Sequence, residues 1–454
     1  MIKKSLIMGF TSGTLMLIGL VIQYFLAKYL SIDEYGMYIL MFSWISVLSV
    51  FSLNSFNTTV IKASAQSYPR FFKTATKICF LFSLLGSIIL LIVGFFFETQ
   101  NMNLFILIAI FFPFYGGINL AESYLIGSSK FNKYSVYVIV SQIIVAVIQI
   151  LSVVFLQGIF WLLFFTLLGT SIINIIMTFS IYTIIRQRKN VRKEKKLVKY
   201  GIGLTWPSIF SSIASRIQYI LLGALADTSI LAIYAVAQLI PEKIKGLIKS
   251  SINPLSIYLA SKTKKESIYL MQRLILPLLM LGVLGYLMIL IILPIGIKLV
   301  FGQKYQEAIF YSLVLSLPVI VIPLDALFIS IVIYHGYKEY YTKLTLLTNI
   351  IQIVLFIILI PYFKIWGVIF SIVGLVVIVT FVNLIWFYRL PKYNVEKTIL
   401  TMQRDLNIKG YKTLYFDGKF TGENILKVIS ADSINEEHHP YWVRISRIIL
   451  LRGN

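Results

Sequence analysis

The chain has 454 residues, 58% hydrophobic and only 13% charged, with a mean hydropathy of +0.86. Soluble chains carry about 25% charged residues, so this composition excludes a soluble globular protein and indicates a polytopic membrane protein. The net charge of +23 is what many basic cytoplasmic loops produce under the positive-inside rule, so any preference for an anionic substrate has to rest on charges inside the spans.

The N-terminal stretch "MIKKSLIMGFTSGTLMLIGLVIQYFLAKYL" starts basic, like a signal peptide. Its apolar run is too long for a signal h-region and lacks a small-residue cleavage site, so it reads as a retained first span. A span needs about 20 mostly apolar residues. On that criterion twelve are expected: 5–29, 36–57, 74–97, 104–127, 134–156, 159–185, 201–225, 230–257, 268–297, 307–333, 342–362 and 366–389. The connecting loops alternate in charge. One set holds Lys3, Lys4, Lys62, Arg70, Lys73, Lys77, Lys130 and Lys133, then "RQRKNVRKEKKLVK" at 186–199, "KTKKES" at 262–267, and Lys338 and Lys343. The other set, "SIDEYG" 31–36, "ETQNMN" 98–103, "QG" 157–158 and "ADTS" 226–229, is nearly free of Lys and Arg, with Lys28, Lys298, Lys304 and Lys364 as its main exceptions. The basic set is therefore expected in the cytoplasm, together with both termini.

The 186–199 segment is the longest and most basic loop between spans, and it follows span six. "YGMYILMFSW" opens span two as "LAIYAVAQLI" opens span eight, and "LIGSSKFNKYS" follows span four as "IYHGYKEYYTK" follows span ten. Six spans followed by six in the same orientation form a parallel repeat, with the substrate site expected between the halves. The expected division is a first six-helix bundle at 1–185, a basic cytoplasmic linker at 186–200, a second bundle at 201–389 and a cytoplasmic tail at 390–454. That tail is polar. Its adjacent His438 and His439 lack spaced Cys or His partners and do not suggest a metal site. The single cysteine, Cys79, excludes an internal disulfide and a multi-cysteine metal site.

Charges inside the spans are few. Arg216 stands in "SSIASRIQYILLGAL" of span seven, with Tyr219 on the same helical face. A cation at a helix centre costs about 2.5–3.5 kcal/mol and usually faces a bundle interior or a wet cavity. The bland alternative is an arginine paired with a carboxylate such as Asp325. In span eight, Gln238, Glu242, Lys245 and Lys249 follow at helical steps and share one face. Their first-half counterparts are Asn54, Thr58 and Lys62. Both stripes are expected to run from mid-membrane toward the cytoplasm as opposite walls of one inward-opening cleft, although for Lys62 and Lys249 a snorkelling helix end serves equally well. Glu122 and Asp325 occupy corresponding positions in spans four and ten and are candidates for ion coupling. Pairing with Lys130, Lys338 or Arg216 is the favoured reading for both. Pro207, Pro241, Pro254, Pro294, Pro318 and Pro323 in the second-half spans and Pro113 in the first half supply candidate hinges.

Three segments, "LAKYLSIDEYGMYIL" (26–40), "LADTSILAIYAVAQLI" (225–240) and "LVFGQKYQEAI" (299–309), resemble the polysaccharide transporters of the multidrug/oligosaccharidyl-lipid/polysaccharide (MOP) exporter superfamily, the O-antigen and teichoic-acid flippases. The resemblance covers about residues 1–390. It implies a V-shaped pair of six-helix bundles in a bacterial inner membrane. It further implies transfer of undecaprenyl-pyrophosphate-linked oligosaccharide, of the O-antigen or capsule type feeding lipopolysaccharide and related polymers, between leaflets. Members of the family carry an acidic residue just before the "ILLG" stretch. Here Gln218 stands in that neighbourhood, so span seven offers Arg216 no acidic partner of its own.

On this reading Arg216, Lys245, Lys249 and Lys62 form a cationic cleft for the anionic head group, supported by Gln238, Glu242, Asn54 and Tyr219. A multidrug exporter of the same superfamily is the alternative, though one exporting cations would favour buried carboxylates. A polysaccharide polymerase or ligase would need a large outer loop, and the outer loops are short. No phosphate-binding loop, metal cluster or nucleophile–base pair appears, so no enzyme activity and no cofactor are implied. The expected partners are the lipid-linked oligosaccharide, the bilayer and other polysaccharide-assembly membrane proteins, not nucleic acid.

Overall fold

The computed structural model describes residues 2–66, 68–97, 101–185, 194–260, 264–334 and 338–389. The tail at 390–454, with His438 and His439, and most of the basic segment (186–193) lie outside the described residues. Within them the chain is helical throughout and has no strand. Hydrocarbon offers the backbone no hydrogen-bond partners, so each crossing segment satisfies its own amides as a helix.

Among the described residues fifteen α-helices supply the twelve expected crossings, because three crossings are broken. Spans one and three are α1 (Ile2–Tyr29) and α4 (Phe71–Phe97). Span two is α2 (Ile32–Leu48), a turn at 49–55, and α3 (Phe56–Ala65). Span four is α5 (Met102–Phe112), a π-helical turn at Pro113–Gly117, and α6 (Ala121–Gly127). Spans five to nine are α7 (Phe131–Leu151), α8 (Ile159–Ile185), α9 (Glu194–Leu225), α10 (Thr228–Ala260) and α11 (Lys264–Phe301). Span ten is α12 (Glu307–Leu315), a 3₁₀ turn at Leu317–Ile320, and α13 (Ile322–Tyr334), and α14 (Lys338–Phe363) and α15 (Ile365–Arg389) complete the set. The sequence expectation of a linker running to residue 200 meets a difference here, since α9 already begins at Glu194.

By length and apolarity alone, 9 helices among the described residues can cross a membrane, or 10 if the bent α12–α13 pair counts as one span. The two missing crossings are spans two and eight, which correspond under the repeat. They fall short for physical reasons. Helix α2 has 17 residues, and the C-terminal half of α10, which leads to the end expected to face the cytoplasm and so termed inner, carries Glu242, Lys243, Lys245 and Lys249.

Spans four and ten, equivalent under the repeat, are both broken in mid-course. In span four, Pro113 removes a backbone donor and the helix widens into the π turn. Asn174 of α8 donates to the freed carbonyls of Phe114 and Tyr115 at 3.2 and 3.0 Å, and Thr178 donates to Ile118 at 3.2 Å. In span ten the axis bends by 44° between residues 320 and 322. Gly282 of α11 lets the Ile320 carbonyl approach where any Cβ would overlap it. Each break leaves a carboxylate in the first turn of the inner piece, Glu122 in α6 and Asp325 in α13, where the helix dipole favours negative charge.

The packing makes the V. One apolar core draws on both halves, from Leu26, Tyr35, Met41 and Phe112 to Leu222, Tyr234, Ile297 and Phe356. Two smaller cores lie toward the inner ends. The first holds Phe56, Phe71, Phe72 and Tyr124, and the second holds Leu259, Met271, Leu327 and Phe387. The halves thus share a core on one side of the membrane and keep separate cores on the other. The base of α9 is an exception, since Leu197 packs into the first-half inner core.

Candidate functional site

Closure at the opposite end, outer under the same expectation of orientation, sets the geometry of everything beneath it. Helix α2 starts with a capping box in which Glu34 N–H donates to Ser31 Oγ at 3.1 Å and Ser31 N–H donates to Glu34 Oε2 at 2.9 Å. One turn on, Gly36 lies against the Thr228 carbonyl of α10, and a Cβ there would overlap it. Asp33 accepts hydrogen bonds from Ser229 Oγ and, at 3.1 Å, from Thr228 Oγ1. Lys304, on the outer turn of span ten, donates to the Leu30 carbonyl at 2.8 Å. Burial lowers the Lys304 pKa from its ordinary value, and the Glu34 charge opposes that shift.

Arg216 lies nine residues before the outer end of α9 at Leu225. At 1.5 Å per residue it is ~14 Å in, close to the middle of a hydrocarbon core of about 30 Å. It is half-buried, and its guanidinium stands 5.4 Å from the centre of the Tyr219 ring. Among the described residues it makes no ion pair. Its pairing with Asp325, the bland alternative in the sequence, is absent. Tyr219 is buried and donates to Gln238 Oε1 at 2.8 Å, and Gln238 Nε2 donates to Glu242 Oε1 at 2.9 Å. The arginine face of α9 is thereby tied to the polar stripe of α10.

Down that stripe burial falls away. Gln238 is half-buried, while Glu242, Lys245 and Lys249 are exposed. Counted from Thr228, Gln238 sits ~15 Å in and Lys245 ~26 Å, so Lys245 lies toward the inner boundary. Asp325 stands in the field of Lys245 and Lys249 and accepts a hydrogen bond from Thr380 Oγ1 at 3.1 Å, with Asn383 as a further partner. Thr380 and Asn383 of α15 were not singled out in the sequence. Their signal was two polar residues three apart in an apolar span. The second half therefore carries Arg216 beside the Tyr219–Gln238–Glu242 chain and, further along, Lys245 and Lys249 in the field of Asp325.

The first-half residues lie elsewhere. Helix α2 ends at Leu48, and the chain turns through 49–55 with Leu53 in the left-handed region at φ 52°. Asn54 therefore sits in a turn, donating to Ser49 Oγ at 2.8 Å, and does not begin a mid-membrane stripe. Ser55 next to it shares a 2.6 Å hydrogen bond with Thr205 of α9. Lys62 is exposed and lies 3.9 Å above the Tyr200 ring. Tyr200 is sixteen residues before Arg216, ~24 Å along α9. Glu122 lies in the first-half bundle in the field of Tyr134 and Tyr137. Among the described residues it makes no ion pair, and Lys130 instead stands 6.0 Å from the Tyr124 ring centre. The expected pairing of Glu122 with Lys130 fails because α6 and the turn to α7 aim the lysine across that ring. The Lys338 side chain lies outside the described ones.

A family model described as polysaccharide biosynthesis protein matches residues 25–310. The chain belongs to that family. The match takes in all three segments, 26–40, 225–240 and 299–309, on which the sequence resemblance rests. No curated protein sequence matches the chain. Several solved structures share the fold. An inward-facing multidrug resistance MATE family transporter of the MOP superfamily superposes with a TM-score of 0.57 at 13% identity, over 82% of this chain and 94% of that one. The lipid II flippase MurJ in an inward closed conformation gives 0.55 at 14%, over 91% and 94%. A MOP superfamily transporter from Pyrococcus furiosus, described as having a binding pocket of reverse polarity, gives 0.53 at 14%, over 85% and 94%. Family membership and this shared fold agree with the sequence reading of a twelve-helix polysaccharide transporter in two bundles.

Proposed function

We propose that the protein is a flippase moving an undecaprenyl-pyrophosphate-linked oligosaccharide, an O-antigen or capsule-type repeat unit, from the inner to the outer leaflet of a bacterial cytoplasmic membrane. Both termini face the cytoplasm, and the cargo enters between the inner ends of the halves. The observation that carries this reading is the mid-membrane Arg216, half-buried and without a carboxylate partner among the described residues. An arginine so placed costs about 2.5–3.5 kcal/mol on insertion scales and offers a planar fork matched to phosphate oxygens. Lys249 and Lys245 form the inner steps of the same path, and Lys62 marks its mouth.

Chemistry requires such a path. A sugar pyrophosphate carries hydroxyls and charge that cost several kcal/mol per unpaired group in hydrocarbon, whereas its polyprenyl tail stays in lipid. Tyr219, Gln238 and Glu242 offer the sugar hydroxyls donors and acceptors beside the cation. Asp325 balances Lys245 and Lys249 when no cargo is bound, and with Glu122 it is the site for any coupling ion. Alternating access follows if the outer contacts at Asp33, Gly36 and Lys304 open as the inner ends close. The work is transport, not catalysis.

A multidrug exporter is the competing reading. Reconstitution in proteoliposomes separates the two. Wild-type protein is expected to move a fluorescent undecaprenyl-pyrophosphate oligosaccharide between leaflets and to leave a lipophilic organic cation untransported. The reverse pattern would replace the flippase reading with the exporter.

A further inference from the structure

On the flank of the first bundle, away from the Arg216 cluster, α7 and α8 enclose a groove of about 570 Å³. That volume is in the range of ligand sites. Its walls are Val136, Val140, Ile144, Ile173, Ile176 and Met177. Val136, Val140, Ile144 and Ile176 are 64, 48, 43 and 58% exposed, so the groove opens to the bilayer and not to the bundle interior. At one end stand Asn132 and Lys133, both exposed in the first turn of α7. Neither makes a hydrogen bond, ion pair or ring contact among the described residues.

We infer that this groove is a binding site for an anionic phospholipid of the inner leaflet, with one acyl chain along α7 and the phosphate at Lys133 and Asn132. The placement in that leaflet rests on the orientation proposed above. Length supports the assignment. Lys133 to Ile144 is eleven residues, ~17 Å of helix, close to the depth of one leaflet in a core of about 30 Å. Charge supports it as well, since a lysine at the membrane surface attracts anionic head groups, and this one has no internal partner. A polyprenyl cargo tail fits less well, because it must follow its head group across both leaflets and the groove ends near the midplane. The inner wall includes Tyr137, which lies in the field of Glu122. An occupied groove would therefore brace the helix that faces the inner piece of span four.

Lipid binding can be read without any transport assay, so its outcome is independent of the flippase proposal. Full-length protein is delipidated in detergent and titrated with phosphatidylglycerol or phosphatidylcholine of matched acyl chains, following bound lipid by native mass spectrometry. Wild type is expected to prefer phosphatidylglycerol. Lys133→Gln should reduce that preference by about fivefold while still binding phosphatidylcholine. Val140→Trp, which fills the groove, should abolish the groove-bound lipid of both kinds, and Lys343→Gln should change nothing. Equal binding of the two lipids by wild type would overturn the inference, as would a preference unchanged in both Lys133→Gln and Val140→Trp. Displacement of phosphatidylglycerol by equimolar undecaprenyl phosphate would reassign the groove to cargo tails and equally overturn it.

Discussion

Arg216 and Tyr219 illustrate how a half-buried charge is kept at mid-membrane depth with no ion-pair partner among the described residues. The guanidinium lies against the Tyr219 ring, and the hydroxyl of that ring begins the chain through Gln238 to Glu242. Removing the hydroxyl in Tyr219→Phe leaves Gln238 Oε1 without its donor. Side-chain hydrogen bonds in membrane proteins average about 0.6 kcal/mol, so the variant is expected to unfold at slightly lower temperature in a thermal-shift measurement yet still insert. Asp325 carries a second prediction at this scale. Its charge faces Lys245 and Lys249 and its oxygen accepts from Thr380. A double-mutant cycle of Asp325→Asn and Lys245→Gln should give a stability coupling of about 0.5–3 kcal/mol, and additive effects would place the two groups out of reach of one another. Residue types were legible before any fold was known. An arginine in "SSIASRIQY" and a helical stripe on span eight are one-dimensional signals. Partners from distant spans, such as Thr380 for Asp325, were not, because nothing local records which helix stands opposite.

Spans four and ten broke at hinge-candidate prolines, whereas span two broke without one and α9, α10 and α11 run unbroken through Pro207, Pro241, Pro254 and Pro294. What repaired the break in span four came from another helix. Pro113 was visible as a hinge candidate, whereas Asn174 and Thr178 on α8, which satisfy the carbonyls around the π turn, gave no local sign of that task. Asn174→Ala leaves the Phe114 and Tyr115 carbonyls without that donor. It should destabilise the protein more than Thr170→Ala, whose hydroxyl bonds only within its own helix. Comparing the two variants by thermal unfolding checks this. Span two is the instructive miss. Hydropathy predicts a continuous helix over 36–57, and the chain instead stops at Leu48 and turns through Leu53 in a left-handed conformation. Leucine strongly disfavours that conformation, so tertiary packing overrides local preference, and Leu53 is buried in the first-half inner core. The expected stripe of Asn54, Thr58 and Lys62 was displaced toward the inner boundary for this reason.

For the whole molecule, the helical crossings and their arrangement in two bundles were legible because hydropathy is set by the bilayer, not by particular neighbours. The conformation was not legible, since which side is closed depends on contacts between halves. Those contacts lie at the outer end, at Gly36 against Thr228 and Asp33 against Ser229. Alternating access requires them to separate. A double variant, Asp33→Cys with Ser229→Cys, is expected to form a disulfide on mild oxidation and to stop transport until reduced. Native Cys79 is buried and should not interfere. Transport undiminished by the crosslink would mean that the outer faces need not part.

The account depends most on the mid-membrane cation Arg216. Its most direct test is the leaflet-translocation rate of an undecaprenyl-pyrophosphate oligosaccharide in proteoliposomes, comparing wild type with Arg216→Lys and Arg216→Ala at matched insertion. The expected result is transport by wild type, a partial rate in Arg216→Lys, which keeps the charge and loses the fork, and loss of at least tenfold in Arg216→Ala, the change in rate that about 1.4 kcal/mol of lost phosphate interaction produces. Wild-type rates in Arg216→Ala would contradict the account.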